Sequence, residues 1–114
     1  MLPAPYRLRH SRDINRVRRE GQRWYHALAA LHVQANQQEV SRFAFVAGRQ
    51  VGNAVQRNRA KRLLREATRT YLPHIAPGWD CLVVARPAAA QADYQDVLTA
   101  INQLLQRAHL LPPI

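Results

Sequence analysis

The 114-residue chain is short of most things that build a protein active site. Its one cysteine, Cys81, can form no internal disulfide and cannot make a metal site alone. Only four aspartates and three glutamates are present, and a two-metal carboxylate site would use most of them. The five histidines, His10, His26, His32, His74 and His109, are scattered, with no cysteine or carboxylate cluster beside them. There is no glycine-rich phosphate loop among the four glycines. No apolar run approaches the ~18 residues of a membrane-spanning helix. Residues 1–7, Met-Leu-Pro-Ala-Pro-Tyr-Arg, lack the apolar stretch of a secretory signal. These absences read against a protein-borne catalytic centre, a membrane partner and a small-molecule substrate, and they place the protein in the cytoplasm.

What the chain has is positive charge. Seventeen basic residues face seven acidic ones, for a net charge of +10, and every basic residue except Lys61 is arginine. Such a balance calls for a polyanionic partner, of which nucleic acid is the commonest. The planar arginine fork pairs phosphate oxygens bidentately and stacks on bases. Hydrophobic content of 47% and charged content of 21% are those of a globular protein, and the length fits one domain over residues 1–114.

Hydrophobic periodicity gives the elements. Ser11 reads as the N-cap of a helix with Asp13 in its first turn, and Gly21 as the residue that ends it. Residues 24–35 contain a strand in which Leu31, Val33 and Ala35 share a face, and residues 36–39 form a turn. A second strand over residues 42–47 puts Phe43, Phe45 and Ala47 on one face and Ala44 and Val46 on the other, and the two strands read as an antiparallel hairpin. A two-glycine linker over residues 48–55 leads to a helix over residues 56–72, which Pro73 stops. Residues 81–85, Cys-Leu-Val-Val-Ala, read as a buried strand. From Asp93 onward, Tyr94, Val97, Leu98, Ile101, Leu104, Leu105 and Ala108 match an amphipathic helix. The final residues 110–114 are expected to fray. The order is α-β-β-α-β-α with room for one more strand near Val51, an α+β fold with helices packed on a sheet.

One helix carries the functional signal. At about 100° per residue, Arg57, Lys61, Arg65 and Arg69 form a ridge, with Asn58 and Arg62 in the same sector. Ala60, Leu63, Leu64, Ala67 and Tyr71 occupy the opposite side, and Arg59 sits off the ridge. Solvated charged faces normally alternate sign, whereas like charges at i,i+4 repel. A ridge that accepts this repulsion suits a phosphate backbone. The preceding elements read as strands, so a helix-turn-helix reader of DNA fits poorly. A structural RNA-binding protein, such as one of the ribosome, and a DNA-binding regulator are both open on charge alone.

The segment Val51-Gly52-Asn53-Ala54-Val55-Gln56-Arg57-Asn58-Arg59-Ala60-Lys61-Arg62-Leu63-Leu64-Arg65 closely resembles the signature of the bacterial ribonuclease P protein component. Arg7-Leu8 with Asp13-Ile14, Val17 and Gly21, then Phe43-Ala44-Phe45-Val46 before Arg49, and Gly78-Trp79-Asp80 leading to Val83-Val84-Ala85-Arg86, extend the likeness over most of residues 6–108. The resemblance implies an α-β-β-β-α-β-α two-layer sandwich with a left-handed crossover around the Arg-Asn-Arg helix. It implies the protein subunit of a ribozyme that removes the 5′ leader of precursor tRNA. Its partners would be the ribonuclease P RNA and precursor tRNA, with magnesium held by the RNA subunit rather than by protein ligands. RNA-facing residues would be Arg49, Arg57, Asn58, Arg59, Lys61, Arg62, Arg65 and Arg69. A leader cleft would involve Ile14, Arg18, His32 and Arg86. The chain departs from the family in two places. Ile14 and Arg18 stand where the first helix commonly has aromatics, and Arg49-Gln50 stands where two cations are usual.

Overall fold

The structure, a computed structural model, describes residues 2–112. Its elements in chain order are α1 (Ser11–Glu20), β1 (Gln22–Tyr25), β2 (Ala29–Ala35), β3 (Arg42–Ala47), α2 (Ala54–Tyr71), β4 (Trp79–Ala85) and α3 (Tyr94–Arg107). The α-β-β-β-α-β-α order agrees with the resemblance, but the extra strand is β1, Gln22–Tyr25, and not one near Val51. Val51 instead lies in a 3-10 turn, Arg49–Val51. Three of the four β1 residues are exposed, so no apolar alternation marks it in the sequence. Register with β2, from Gln22 opposite Val33 to Tyr25 opposite Ala30, makes it a strand.

The sheet order is β1-β2-β4-β3. β2 and β3 are therefore not a hairpin, because β4 lies between them, antiparallel to β2 and parallel to β3. Cys81, Leu82 and Val83 are all buried, whichever face they point to, and a strand covered on both faces belongs in the interior of a sheet. The parallel pair β3 and β4 is joined through α2.

Alternation sorts the strand residues to two cores. Leu31, Val33, Phe43, Cys81 and Val83 pack with Ala60, Leu64 and Ala67 of α2 and Val97, Ile101, Leu104 and Leu105 of α3. On the other face Ala44 and Leu82 pack with Leu8 and Val17, flanked by Ile14, Val46 and Val84. Helices thus cover both faces, α1 on one and α2 with α3 on the other, so the sheet is the middle layer of three, where the resemblance implies two layers. No helix among the described residues is long and apolar enough to cross a membrane.

Local chemistry fixes the helix ends. His10, not Ser11, is the N-cap of α1, and its side chain makes no capping hydrogen bond. Gly21 ends α1 with an ordinary negative φ, and what requires glycine is space. A Cβ there would lie 2.5 Å from the Val17 carbonyl oxygen and 2.9 Å from that of Val33. At the start of α2, Asn53 and Gln56 form a reciprocal capping box, so the helix begins two residues before the sequence pattern suggests. Gly52, at φ 145°, supplies the left-handed backbone that turns the chain into it. The tail is docked up to Leu111. Leu110 and Leu111 are buried, and the Ala76 N–H donates to the Leu110 carbonyl at 2.8 Å. Pro113 and Ile114 lie outside the described residues.

Candidate nucleic-acid interface

The α2 ridge flanks the buried face of the helix, and its Arg65 reaches the edge of the sheet at Phe45. Asn58, Arg62 and Arg69 are exposed, and Arg57, Lys61 and Arg65 are half-buried. Among the described residues, no ion pair reaches Arg57, Arg59, Lys61, Arg62 or Arg65. Arg69 lies 3.5 Å from Glu66 on its own helix. Several acidic groups are engaged elsewhere. Asp80 binds Arg42 and Arg16, Asp13 lies beside both arginines, and Glu20 pairs with Arg19. Among the described residues, the charges of Arg57, Lys61, Arg62 and Arg65 are therefore not offset by an ion pair.

Arg59 is placed differently. Its Nη1 donates to the Ala90 carbonyl at 3.1 Å and its Nη2 to the Ala92 carbonyl at 2.8 Å. It ties α2 to the segment before α3, which explains why it stands off the ridge on the helical wheel. Arg65 leans over the Phe45 ring with its guanidinium carbon 6.0 Å from the centroid, a cation–π arrangement. Arg49 is exposed in the 3-10 turn after β3.

The cleft residues divide. Arg18 and His32 line one cavity of about 480 Å³ together with Val46, Ala47, Gly48, Gln50 and Val84. Ile14 lies in a neighbouring groove of about 370 Å³ and packs against the Leu8–Val17 core. Arg86 follows β4 with extended backbone and is exposed, on the face that alternation shares with Val84. It lines neither cavity. Gln50, the departure from a basic pair, borders the His32 cavity as an amide.

His32 is 9% exposed and its Nδ1 has no hydrogen-bond partner. Burial lowers its pKa, and the guanidinium groups of Arg23 and Arg18 add to the lowering, with the Arg18 backbone opposing them. It is a neutral imidazole among cations. Arg23 sits opposite it in the β1–β2 register, and no local sequence signal joins the two.

Asp80 is a further feature that sequence reasoning missed. Its side chain is fully buried and accepts from Arg42 at 2.8 and 2.7 Å, Arg16 at 2.9 Å and Asn36 at 2.9 Å. The signal was present as the one acidic residue of an apolar strand. This cluster anchors α1 to the sheet. Burial pushes the Cys81 thiol well above its ordinary pKa, which leaves it a core residue. Among the described residues, no three His, Cys, Asp or Glu side chains come together as a metal site would require.

Comparison with known proteins gives the family and the fold. The sequence profile of the family described as Ribonuclease P matches residues 2–109. The ribonuclease P protein component of Roseiflexus castenholzii is 41% identical over 108 residues, covering 94% of this chain and 88% of that one. That of Cyanothece sp. is 37% identical over 128 residues, covering 97% and 98%. The ribonuclease P protein of Thermotoga maritima superposes with a TM-score of 0.80 at 30% identity, covering 89% of this chain and 96% of that one. The Staphylococcus aureus protein has the same fold, with a TM-score of 0.84 at 24% identity and coverage of 94% and 98%.

Proposed function

Because the chain belongs to the ribonuclease P protein family, we propose that the α2 ridge and the cleft beside α1 are its two RNA-facing surfaces. It is the protein subunit of an endoribonuclease that matures the 5′ end of tRNA, and the RNA subunit carries the catalysis. The structural-protein and DNA-regulator alternatives are not favoured by this membership. The partners are ribonuclease P RNA and precursor tRNA. Arg57, Asn58, Lys61, Arg62, Arg65 and Arg69 face RNA from α2, with Arg49 beside its entry. Arg59 acts chiefly by holding α2 in place. Ile14, Arg18, His32 and Arg86 border the path of the single-stranded leader. Magnesium belongs to the RNA subunit, and the protein's share is to position RNA and offset its phosphate repulsion.

The observation that carries this reading is the uncompensated ridge Arg57, Lys61, Arg62 and Arg65. Like charges at i,i+4 cost helix stability, and a bound phosphate backbone reverses that cost. The test is cleavage of a precursor tRNA by bacterial ribonuclease P RNA at low magnesium, with and without this protein. Strong stimulation that disappears when Arg57 and Arg62 become alanine is the expected result. RNA binding without stimulation would overturn the ribozyme-subunit reading.

A further inference from the structure

Arg59 reaches out of α2 with both terminal nitrogens, Nη1 donating to the Ala90 carbonyl at 3.1 Å and Nη2 to the Ala92 carbonyl at 2.8 Å. Both acceptors lie in the connection between β4 and α3, which begins as a 3-10 turn over Pro87–Gln91. That connection is tied at its other end as well. Arg86 opens the turn, with its N–H donating to the Leu28 carbonyl at 3.0 Å and its carbonyl accepting from the Ala89 N–H at 2.9 Å. Ala89 and Ala92 are buried, and the turn packs against both α2 and the Arg49–Val51 turn. β3 and β4 are parallel and end together, with Ala47 opposite Ala85, so Arg49 and Arg86 leave the sheet at the same end. One short segment thus borders Arg49, begins at Arg86 and is clamped by Arg59.

We propose that Arg59 is a positioning residue for precursor binding, which acts by clamping the 86–92 connection to α2 and so keeps Arg86 in a fixed place relative to the ridge. The proposal rests on the RNA-facing surfaces assigned above, with Arg86 beside the leader path. The geometry calls for arginine and not merely for a positive charge. Two carbonyls two residues apart match a planar fork whose nitrogens stand side by side, whereas lysine brings one compact ammonium on a flexible stem. A phosphate contact would need little more than the charge, which lysine keeps. Backbone acceptors outside regular structure need a partner, and here a side chain from a different element supplies it. Without the fork the connection is held only at the Arg86 end and by the packing of its alanines, so Arg86 is free to drift. A shift of about 1 Å is enough to spoil a positioned contact. Arg59 therefore affects the precursor from a place where it touches protein, which separates it from Arg57 on the same turn of helix.

The test uses the holoenzyme, this protein assembled with bacterial ribonuclease P RNA. Affinity is measured for precursor tRNA and for mature tRNA, which has no leader. The proteins compared are the unsubstituted one, Arg59→Ala, Arg59→Lys, Arg86→Ala and the Arg59→Ala, Arg86→Ala double variant. Arg59→Ala should weaken precursor binding by about tenfold and mature tRNA binding far less. Arg59→Lys, which keeps the charge and is the milder change for folding, should lose nearly as much as Arg59→Ala. In the Arg86→Ala background, Arg59→Ala should cost nothing further, because the contact it positions is already gone. Full rescue by Arg59→Lys would make Arg59 a phosphate contact and overturn the proposal. Equal losses for precursor and mature tRNA would overturn it too, as would losses that simply add in the double variant. Absence of stimulated cleavage with the unsubstituted protein would instead overturn the function on which the proposal rests.

Discussion

His32 illustrates how a single side chain can be legible in role and illegible in setting. Its period-two position and the family resemblance put it in the cleft. Its neighbours, Arg23 across the strand pair and Arg18 on α1, depend on a register that no local pattern encodes. Burial and those two cations hold its pKa below the usual 6.5. Above pH 6.5 the imidazole is neutral in both folded and unfolded chains and costs nothing. As pH falls below 6.5, the unfolded chain takes up the proton more readily than the folded one, so stability declines. Thermal melts between pH 8 and 5 at constant ionic strength should show that decline, and His32→Phe should make it shallower. Identical pH profiles for the two proteins would mean that His32 takes up its proton equally readily in the folded and unfolded chains.

The helices were more legible than the strands, for a physical reason. A helix carries its pattern within itself, so the apolar stripe of α3 and the two-sided character of α2 stand out from spacing alone. A strand finds its partner at a distance. The pairing of β2 with β4, and the edge position of β3, follow from Leu82 and Val83 needing cover on both sides. β1 was missed because Gln22, Arg23 and Tyr25 face solvent and leave no alternation to read. The ridge was legible because one helix holds all of it, whereas the anchoring of Arg59 to Ala90 and Ala92 was not. α2 also trades stability for function. Lys61 sits between Arg57 and Arg65 at i,i+4 spacing, so Lys61→Ala should raise unfolding stability by about 0.5 kcal/mol. The same change should weaken RNA binding and lower its log–log salt slope by roughly 0.7–0.9. Urea unfolding and salt titrations of binding, made on one variant, read both effects. A Lys61→Ala protein that binds RNA with an unaltered slope would move the RNA contact off this ridge.

Over the whole molecule, the distribution of the few acidic groups matters as much as the excess of basic ones. Asp80 draws Arg16 of α1, Arg42 of β3 and Asn36 of the β2–β3 turn to one point on β4. Removing its charge would leave two arginines facing one another across that point. Asp80→Asn should therefore cost about 3 kcal/mol, the low end for a broken buried pair, because Arg16 and Arg42 retain some access to water. Chemical denaturation measures this loss, and a change below about 1 kcal/mol would assign the cluster to surface charge. The sheet order has a consequence for biosynthesis. As the nascent chain leaves the ribosome, β1 and β2 can pair at once, but β3 and α2 emerge before β4, the strand that must enter between β2 and β3. Closure waits on contacts distant in sequence, which are slow to form. Only then do the wall of the cleft and the seat of the ridge exist together, so an unfinished chain offers cellular RNA a basic peptide rather than an assembled surface.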